Sequence, residues 1–329
     1  MKKLSDVGER AAIRRIFQHL SKGFTTVPIG DDCAAIDISQ TDYLLVTTDM
    51  ISQATHIPKG MTPYQIGWFL VAINLSDIAA KGGTPLGLVL SFGLPRNTSE
   101  KFLTDLTRGA DACATRYGTT IVGGDTKETS EITLCGTAFG TVKKEEFMPR
   151  KGIRPGNIVA VTGTLGKAGA GYLAVKENIP GNALRKPLFE PVPRLKEGLV
   201  LAQQHGVTSC MDLSDGLSSS LYQLQEINNV GFEISSEMLP VASEISLVKK
   251  KKPHLDVSRL VLHFGGDYEL LLTLPPELFE KTKTVLQQWG ADLFMIGKVT
   301  RKKTILLVEG KKKTILENKG YEHFKKRYF

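Results

Sequence analysis

The sequence is poor in the residues that most metalloprotease and hydrolase sites need. It has six histidines and four cysteines among 329 residues. The cysteines (Cys33, Cys113, Cys135 and Cys210) form no C-x-x-C pair, which disfavours a zinc or redox centre. H-E-x-x-H and G-x-S-x-G are both absent, so zinc hydrolysis and a serine triad lack their usual signatures. The apolar surroundings of the cysteines are typical of buried, reduced thiols, and we expect a cytoplasmic protein.

Long hydrophobic segments are absent as well. No apolar run reaches the roughly 18 residues that a membrane span requires. The lysines of MKKLSDVGER are not followed by the apolar core of a secretory signal. The content of 41% hydrophobic and 23% charged residues is that of a folded chain and disfavours disorder. We therefore expect no membrane partner, and at roughly 150 residues per domain we expect two domains.

Positive charge is in excess, at a net +8, and it is placed unevenly. The surplus lies in short clusters of the second half, at 249–252, 301–303, 311–313 and 325–327. Two interpretations stay open, namely solvated turns and strand edges, or attraction of a polyanionic ligand such as a nucleotide. Nucleic acid is not expected as a partner, because these runs lack interleaved aromatics and no helix-turn-helix, zinc-finger or RNA-recognition signature occurs.

Strand-like apolar runs alternate irregularly with helical patterns along the chain. This order predicts two domains of α+β or α/β class and not a regular barrel. The longest predicted helix begins at Pro63 and ends at Gly82–Gly83. The charged segment KKEEFMPRKGIRPGN contains proline and glycine, and it predicts a boundary between domains 1–148 and 149–329.

A glycine-rich stretch, VTGTLGKAGAGYLAV, invites comparison with a P-loop. Val161 stands where the first glycine of that motif is required, and Ala168 replaces its serine or threonine, so a Walker A motif is absent. Two interpretations stay open. The stretch is either a tight strand-to-helix turn near a phosphate or a place where a helix packs closely on a strand.

What the sequence does have is aspartate beside glycine, serine or threonine after apolar runs. Five segments carry such residues, which are Asp31, Asp32, Asp49, Asp77, Asp125, Asp212 and Asp215. A single aspartate in such a place is most often a turn or cap residue. If the segments converge, however, only bound cations or raised pKa values relieve the repulsion. Oxygen ligands without paired histidine or cysteine favour Mg²⁺ over Zn²⁺, and sites with several Mg²⁺ ions commonly handle phosphoryl groups.

The most specific signal is an ordered set of segments: IGDDCAAI, LLVTTDMI, AINLSDIAAKGG, IVGGDT, CMDLSDGL and NKGYEHF. Together they closely resemble the thiamine-monophosphate kinases, over nearly the whole chain. The wider superfamily is that of aminoimidazole ribonucleotide synthetase. The resemblance implies an N-terminal α+β domain whose sheet forms a homodimer interface, a C-terminal α/β domain, and ATP with its metals in the cleft between them.

The resemblance also implies roles for individual residues. Those implied to bind several Mg²⁺ ions are Asp32, Thr47, Thr48, Asp49, Asp77, Asp125, Asp212 and Asp215. Those implied to bind ATP are Gly124, Asp125, Arg150 and Ser214. Those implied to contact thiamine monophosphate are His56 and Tyr321. One departure is visible, because the family reads GGEDYEL where this chain reads GGDYEL from Gly265 to Leu270. Either Asp267 substitutes for the missing acidic residue or the substrate contacts differ.

The implied activity is transfer of the γ-phosphoryl group of ATP to thiamine monophosphate, directly and in line. The attacking phosphate has a second pKa near ~6 and is already anionic at neutral pH, so no general base is expected. The remaining barrier is the approach of two polyanions, which Mg²⁺ ions on aspartates would lower. Two alternatives remain, namely another ATP-dependent synthetase of the superfamily and a non-catalytic nucleotide-binding regulator.

Overall fold

The computed structural model describes residues 3–21, 27 and 29–325. Its first unit is a five-stranded sheet in the order β1-β2-β5-β3-β4. These strands are β1 (Ala34–Asp37), β2 (Asp42–Ser52), β3 (Thr84–Leu94), β4 (Ile121–Glu128) and β5 (Thr133–Lys143). The helices of this half of the chain are α1 (Leu4–Val7), α2 (Glu9–His19), α3 (Gln53–His56), α4 (Pro63–Ala80) and α5 (Glu100–Arg116). Helices α4 and α5 cover one face of the sheet, since one set of alternating side chains on β2 and β5 is buried.

The second unit is a seven-stranded sheet in the order β12-β11-β8-β10-β6-β9-β7. Its strands are β6 (Ile158–Thr162), β7 (Ser209–Asp212), β8 (Gly231–Ser235), β9 (Leu270–Leu274), β10 (Leu293–Thr300), β11 (Ile305–Glu309) and β12 (Lys312–Ile315). Its helices are α6 (Lys167–Lys176), α7 (Asn182–Phe189), α8 (Leu195–Gln203), α9 (Leu217–Asn228), α10 (Ser243–Lys251), α11 (Val257–His263) and α12 (Pro276–Gln288). The predicted pair of mixed α and β units is confirmed. The predicted boundary at 148/149 falls in the connection between β5 and β6, and its position stays a prediction.

Helix α4 lies at the centre of the molecule and contacts both units. Thr62 begins it with a capping box, in which its hydroxyl accepts the Gln65 amide and the Gln65 side chain accepts the Thr62 amide. The helix is buried on nearly all sides, as expected for an interior helix. Helix α8 of the second unit approaches it closely, since a Cβ at Gly198 would lie 2.1 Å from the Ala79 carbonyl oxygen. Among the described residues no helix, α4 included, has the length and apolarity that a bilayer crossing demands.

Helix α2 packs against the second unit, through α9 and the C-terminal segment. The helical spacing of Ile13, Ile16, Phe17 and Leu20 predicts an opening helix from Ser5. The helix forms in two pieces, because Gly8 adopts a positive φ of 81° between α1 and α2. Arg10 of α2 donates a hydrogen bond to the Ser219 hydroxyl of α9. The apolar side of α2 stays largely open, with Ile13 39% and Ile16 56% exposed. Helical spacing of apolar residues therefore predicted the helix without indicating what covers it.

The outer face of the first sheet carries several exposed apolar side chains. Met50, Val89 and Val122 are 64%, 37% and 56% exposed on three different strands. Met50 and Val89 alternate with the buried residues Ile51 and Leu90, so their side chains point away from α4 and α5. An exposed patch of this kind is a feature of interaction surfaces.

The basic clusters of the second half lie at element ends. Residues 249–251 form the last turn of α10, where positive charge complements the helix dipole. Lys252 pairs with Glu177 at 2.5 Å, and Lys313 pairs with Glu233 at 2.6 Å. This placement supports the interpretation as solvated turns and strand edges. Residues 326–327 lie outside the described part of the chain.

Candidate functional site

Three of the predicted aspartates meet between the two units, and a fourth lies beside them. Carboxylate oxygens of Asp32, Asp77 and Asp212 all lie within 4.8 Å of one another. They come from the loop before β1, from α4 and from the last residue of β7. Asp49 on β2 is close enough that its charge raises the pKa of Asp77. The predicted convergence of separate segments is therefore observed for Asp32, Asp77 and Asp212. Together with the neighbouring Asp49, we call these residues the aspartate cluster.

Burial and mutual repulsion disfavour charge on most of this cluster. Burial raises the pKa of Asp49 to about 6 and of Asp212 to about 7, and the charge of Asp32 adds to both shifts. Burial also raises the pKa of Asp77 well above its ordinary value. Thr47 donates a hydrogen bond to Asp77 at 2.5 Å and Ser76 donates one to Asp212 at 2.7 Å, and both partly oppose these shifts. A divalent cation among these oxygens would relieve the repulsion, and an all-oxygen donor set suits Mg²⁺.

Asp32 differs from its neighbours because two cations hold it. The ammonium of Lys81 lies 2.7 Å from Asp32 Oδ2 and 2.5 Å from Asp31 Oδ1. Lys81 also donates to the carbonyl oxygens of Met148, at 2.9 Å, and Cys210, at 2.7 Å. Its side chain has 0% exposure. Lys81 thus ties the end of α4 to the loop before β1 and to the second unit.

Arg150 is the second cation and reaches the same carboxylate. Its Nε donates to Asp32 Oδ1 at 2.8 Å, and its backbone amide donates to Asp31 Oδ2 at 2.8 Å. Burial alone would raise the pKa of Asp32, but Arg150 and Lys81 together lower it below its ordinary value. Asp32 is therefore more readily ionised than the other carboxylates of the cluster, and Lys81 and Arg150 balance its charge.

The sequence interpretation used only Asp77 from α4 and missed two polar neighbours. Asn74 accepts a hydrogen bond from the Asp49 amide at 3.1 Å and donates one to the Leu70 carbonyl at 2.8 Å. Asn74, Asp77 and Lys81 follow the spacing i, i+3, i+7, which places them on one face of a helix. A polar stripe on an otherwise apolar buried helix was the available signal.

Tyr268 is a further residue that the sequence interpretation left out. It is 9% exposed and packs edge-on against Phe69, with ring centroids 6.1 Å apart. Burial raises its pKa well above the ordinary value, and the charges of Asp49 and Asp212 add to that shift. Its backbone has a positive φ of 50°, which is uncommon for a bulky residue. The ring thus lines the aspartate cluster from the second unit.

Asp215 lies beside the tail, by which we mean the described residues 316–325 after β12. Burial raises its pKa to about 6, and the charge of Glu9 adds to the shift. Its carbonyl oxygen accepts the Tyr321 amide at 3.0 Å. The preceding Ser214 is exposed, and its carbonyl accepts the Gly266 amide at 2.8 Å. The loop after β7 is thereby fixed to both the tail and the 265–267 loop.

The two predicted substrate residues, His56 and Tyr321, come together. Their contact runs through His323, whose ring centroid lies 5.4 Å from that of His56 and 4.8 Å from that of Tyr321. His56 belongs to the short helix α3 directly after β2, whereas Tyr321 belongs to the tail after β12. The sequence interpretation missed His323, although it lies within the quoted NKGYEHF segment.

Thr48 does not bring its hydroxyl to the cluster. Side chains alternate along β2, so the faces that carry Thr47 and Thr48 are opposite. The Thr48 hydroxyl lies 3.0 Å from that of Thr137 and donates to the Gly136 carbonyl at 3.0 Å. Its predicted role as a metal ligand therefore has no support from its side chain in this structure.

Asp125 and Gly124 also lie apart from the cluster. The strand register runs from Asp49 on β2 through β5 and β3 to Gly124 on β4, which is three strand spacings or roughly 14 Å. Asp125 is exposed, 3.5 Å from the Lys127 ammonium, and borders a cavity of about 350 Å³. A Cβ at Gly124 would lie 1.9 Å from the Leu90 carbonyl oxygen, so close approach of β3 already requires glycine there.

Asp267 acts as the cap of α6. Its two carboxylate oxygens accept the backbone amides of Gly166, at 2.5 Å, and Ala168, at 2.9 Å. The amides that begin α6 are therefore occupied, which favours close packing over phosphate binding for the glycine-rich stretch. Burial raises the pKa of Asp267 to about 6. With both oxygens engaged, its predicted substrate contact stays a prediction.

The chain is similar to known proteins over most of its length. The family models for AIR synthase related proteins match residues 30–142 with the N-terminal domain and 154–308 with the C-terminal domain. The chain is 37% identical to a thiamine-monophosphate kinase of Methanospirillum hungatei over 300 residues, covering 89% of this chain and 92% of that protein. It is 34% identical to one of Pyrococcus horikoshii over 304 residues, covering 92% and 93%.

A solved structure described as AaThiL complexed with AMPPCP and TMP superposes with a TM-score of 0.84 at 27% identity. The match covers 98% of this chain and 99% of that chain. Similarity therefore extends over both units and includes the segments that form the aspartate cluster. The chain belongs to the thiamine-monophosphate kinase family, within the AIR synthase related proteins.

Proposed function

We propose that this protein transfers the γ-phosphoryl group of ATP to thiamine monophosphate, which yields ADP and thiamine diphosphate. The observation that carries the proposal is the aspartate cluster between the two units, with three carboxylates within 4.8 Å of one another. Two further facts support it. The similar curated proteins are thiamine-monophosphate kinases, and the similar solved structure is described with AMPPCP, an ATP analogue, and TMP.

The aspartate cluster is the place where Mg²⁺ fits best. Asp32, Asp49, Asp77 and Asp212 supply hard oxygen donors, and the raised pKa values of three of them show how poorly the metal-free cluster tolerates its charge. Bound there, Mg²⁺ would neutralise the phosphate charges of both substrates as a Lewis acid. Asp215 on the neighbouring loop is a further candidate ligand.

The protein itself supplies orientation. Lys81 and Arg150 hold Asp32, while Thr47 and Ser76 orient Asp77 and Asp212 by hydrogen bonds. These contacts fix the carboxylates before any substrate arrives, and preorganised charge is the main source of catalysis in phosphoryl transfer. The acceptor phosphate needs no base, since it is anionic at neutral pH. Arg150 and Ser214 are proposed to contact ATP beside the cluster.

The thiamine end of the substrate is assigned to His56 and Tyr321. Thiamine is a flat, cationic heteroaromatic, and the face of a tyrosine ring suits it through stacking and cation–π attraction. Both residues lie in one aromatic group with His323. Tyr321 is also fixed by its backbone to Asp215, which places this group beside the predicted metal ligands.

We infer that the enzyme is a homodimer joined through the outer face of the first sheet. Met50, Val89 and Val122 leave apolar side chains exposed on this sheet. Asp125 lies on the edge strand β4 of the same sheet, too far from Asp49 to share a metal ion within one chain. In a dimer joined through this face, Asp125 and Gly124 of one copy would contact the nucleotide that is bound at the site of the second copy.

The test is a coupled assay of ADP release with thiamine, thiamine monophosphate and other phosphate acceptors. We expect release that depends on both thiamine monophosphate and Mg²⁺. Free thiamine should be a much poorer acceptor, because its hydroxyl brings no charge to the aspartate cluster. Equal rates with the two acceptors, or no release with either, would contradict the proposal.

A further inference from the structure

His323 lies at the centre of an aromatic group that also contains His56 and Tyr321. His323 lies between the two rings assigned to the thiamine end, tilted by 44° against His56 and at 87° to Tyr321. Its Nδ1 lies 3.2 Å from the Tyr321 hydroxyl, within hydrogen-bond distance. An edge-to-face contact and a hydrogen bond together restrict how the Tyr321 ring can turn.

The backbone of His323 is fixed by the start of the chain. Its amide donates to the Glu9 carboxylate at 3.0 Å, and its carbonyl accepts the Glu9 amide at 3.3 Å. Gly8, directly before Glu9, has a φ of 81°, a left-handed backbone conformation that favours glycine at this turn into α2. The first residue of α2 therefore anchors the tail at the position of His323.

The ring of His56 is fixed from the other side. The Ser52 amide donates to its Nδ1 at 3.4 Å, and the Thr55 hydroxyl lies 2.6 Å from the same nitrogen. Since an amide only donates, Nδ1 of neutral His56 is an acceptor and the ring proton lies on Nε2. The rings of His56 and His323 thus contact each other, and hydrogen bonds restrict each of them from its own unit.

We propose that His323 is a positioning residue that sets Tyr321 and His56 for the flat, cationic end of the substrate. This inference rests on the proposed function. A ring that is held before binding loses less conformational freedom when the substrate arrives, so its loss weakens binding without altering the reacting phosphates. The aspartate cluster holds the phosphate end independently. The KM for thiamine monophosphate should therefore respond, and kcat and the KM for ATP should not.

The experiment compares His323→Ala with His323→Phe and with the control His254→Ala, an exposed histidine elsewhere. Calorimetric titration of thiamine monophosphate without ATP gives Kd, and steady-state assays give both KM values. We expect His323→Ala to raise the Kd and KM for thiamine monophosphate roughly 3- to 10-fold. His323→Phe keeps the edge contact and should recover most of that loss, while His254→Ala should match the wild type.

A double variant separates positioning from a direct contact. If His323 acts partly through Tyr321, then adding His323→Ala to Tyr321→Ala should raise the Kd by a smaller factor than His323→Ala does in the wild type. If the two substitutions instead multiply their effects on the Kd for thiamine monophosphate, His323 does not act through Tyr321. Wild-type binding by His323→Ala would overturn the inference, and so would a matched rise in both KM values with a lower melting temperature.

The outcomes also distinguish this inference from the function on which it rests. Suppose that the wild type phosphorylates thiamine monophosphate and that His323→Ala has the same Kd and KM for it. That result refutes only the role of His323. A wild-type protein that neither binds nor phosphorylates thiamine monophosphate refutes both.

Discussion

Lys81 and Asp32 form an ion pair that has no exposure on either side chain, with 2.7 Å between Nζ and Oδ2. The pair joins Lys81, the C-cap residue of the central helix α4, to the loop before β1. Because Lys81 also donates to the carbonyls of Met148 and Cys210, the same ammonium holds the second unit. One buried charge thus supports both the domain arrangement and a candidate metal ligand.

Replacing Lys81 by Met should destabilise the protein strongly. The change leaves Asp31 and Asp32 buried with one cation fewer, which typically costs about 3–5 kcal/mol. Urea unfolding followed by circular dichroism measures the loss. The matched control is Lys101→Met, which removes the exposed partner of Asp105 (Lys101 is 84% exposed) and should change stability by less than about 1 kcal/mol. Equal effects of the two substitutions would contradict a structural role for the Lys81 pair.

Asp77→Asn should abolish turnover without unfolding the chain. The amide keeps the shape of the side chain but cannot supply the anionic oxygen that a cation in the cluster would bind, so kcat should fall at least ~100-fold. The ADP-release assay measures the rate, and circular dichroism checks the fold. Asp105→Asn, on the exposed pair of α5, serves as the control and should remain active. Turnover near the wild-type rate in Asp77→Asn would contradict the metal-site assignment.

Asp125→Asn should also be inactive, yet it should complement Asp77→Asn when both are expressed together. If Asp125 serves the partner copy, a mixed dimer contains one site with both lesions and one site with neither. Random pairing makes half of the dimers mixed, so the activity should recover to about a quarter of the wild type. Co-expression with two different affinity tags isolates the mixed dimer. No recovery in the isolated mixed dimer would show that Asp125 acts within its own chain.

The effect of Mg²⁺ on stability should grow with pH. The pKa values of Asp49 (about 6) and Asp212 (about 7) are raised in the folded, metal-free protein above their unfolded values. At pH values between the unfolded and the folded pKa values, the carboxyl groups of the folded state hold protons that those of the unfolded state have lost. The metal-free protein therefore loses stability as the pH rises through the folded values. Mg²⁺ needs the ionised carboxylates, so it restores more stability at pH ~8 than at pH ~5.5.

Melting temperatures with and without Mg²⁺ at these two pH values test this expectation. Asp212→Asn should show a weaker pH dependence in the absence of metal, because the group with the higher of these two pKa values is gone. An identical shift by Mg²⁺ at both pH values would indicate binding away from the aspartate cluster.

The sequence alone determined the family, the two mixed units and the aspartates as a group. These features are local along the chain. The motif order of AINLSDIAAKGG and MDLSDGL can be seen without coordinates, and so can the apolar runs that precede each carboxylate. Even the polar stripe of Asn74, Asp77 and Lys81 was visible as helical spacing, although only Asp77 was used.

Only the tertiary structure decided which of these residues meet. The order of strands in the first sheet separates Asp125 from Asp49, and alternation along β2 turns Thr48 away while Thr47 reaches Asp77. Asp267 caps α6 across 99 residues of sequence, and Glu9 binds His323 across 314. Such contacts depend on sheet order and helix packing between distant segments. Spacing within one segment carries no information about them, because backbone periodicity correlates side chains over only a few turns or strand residues.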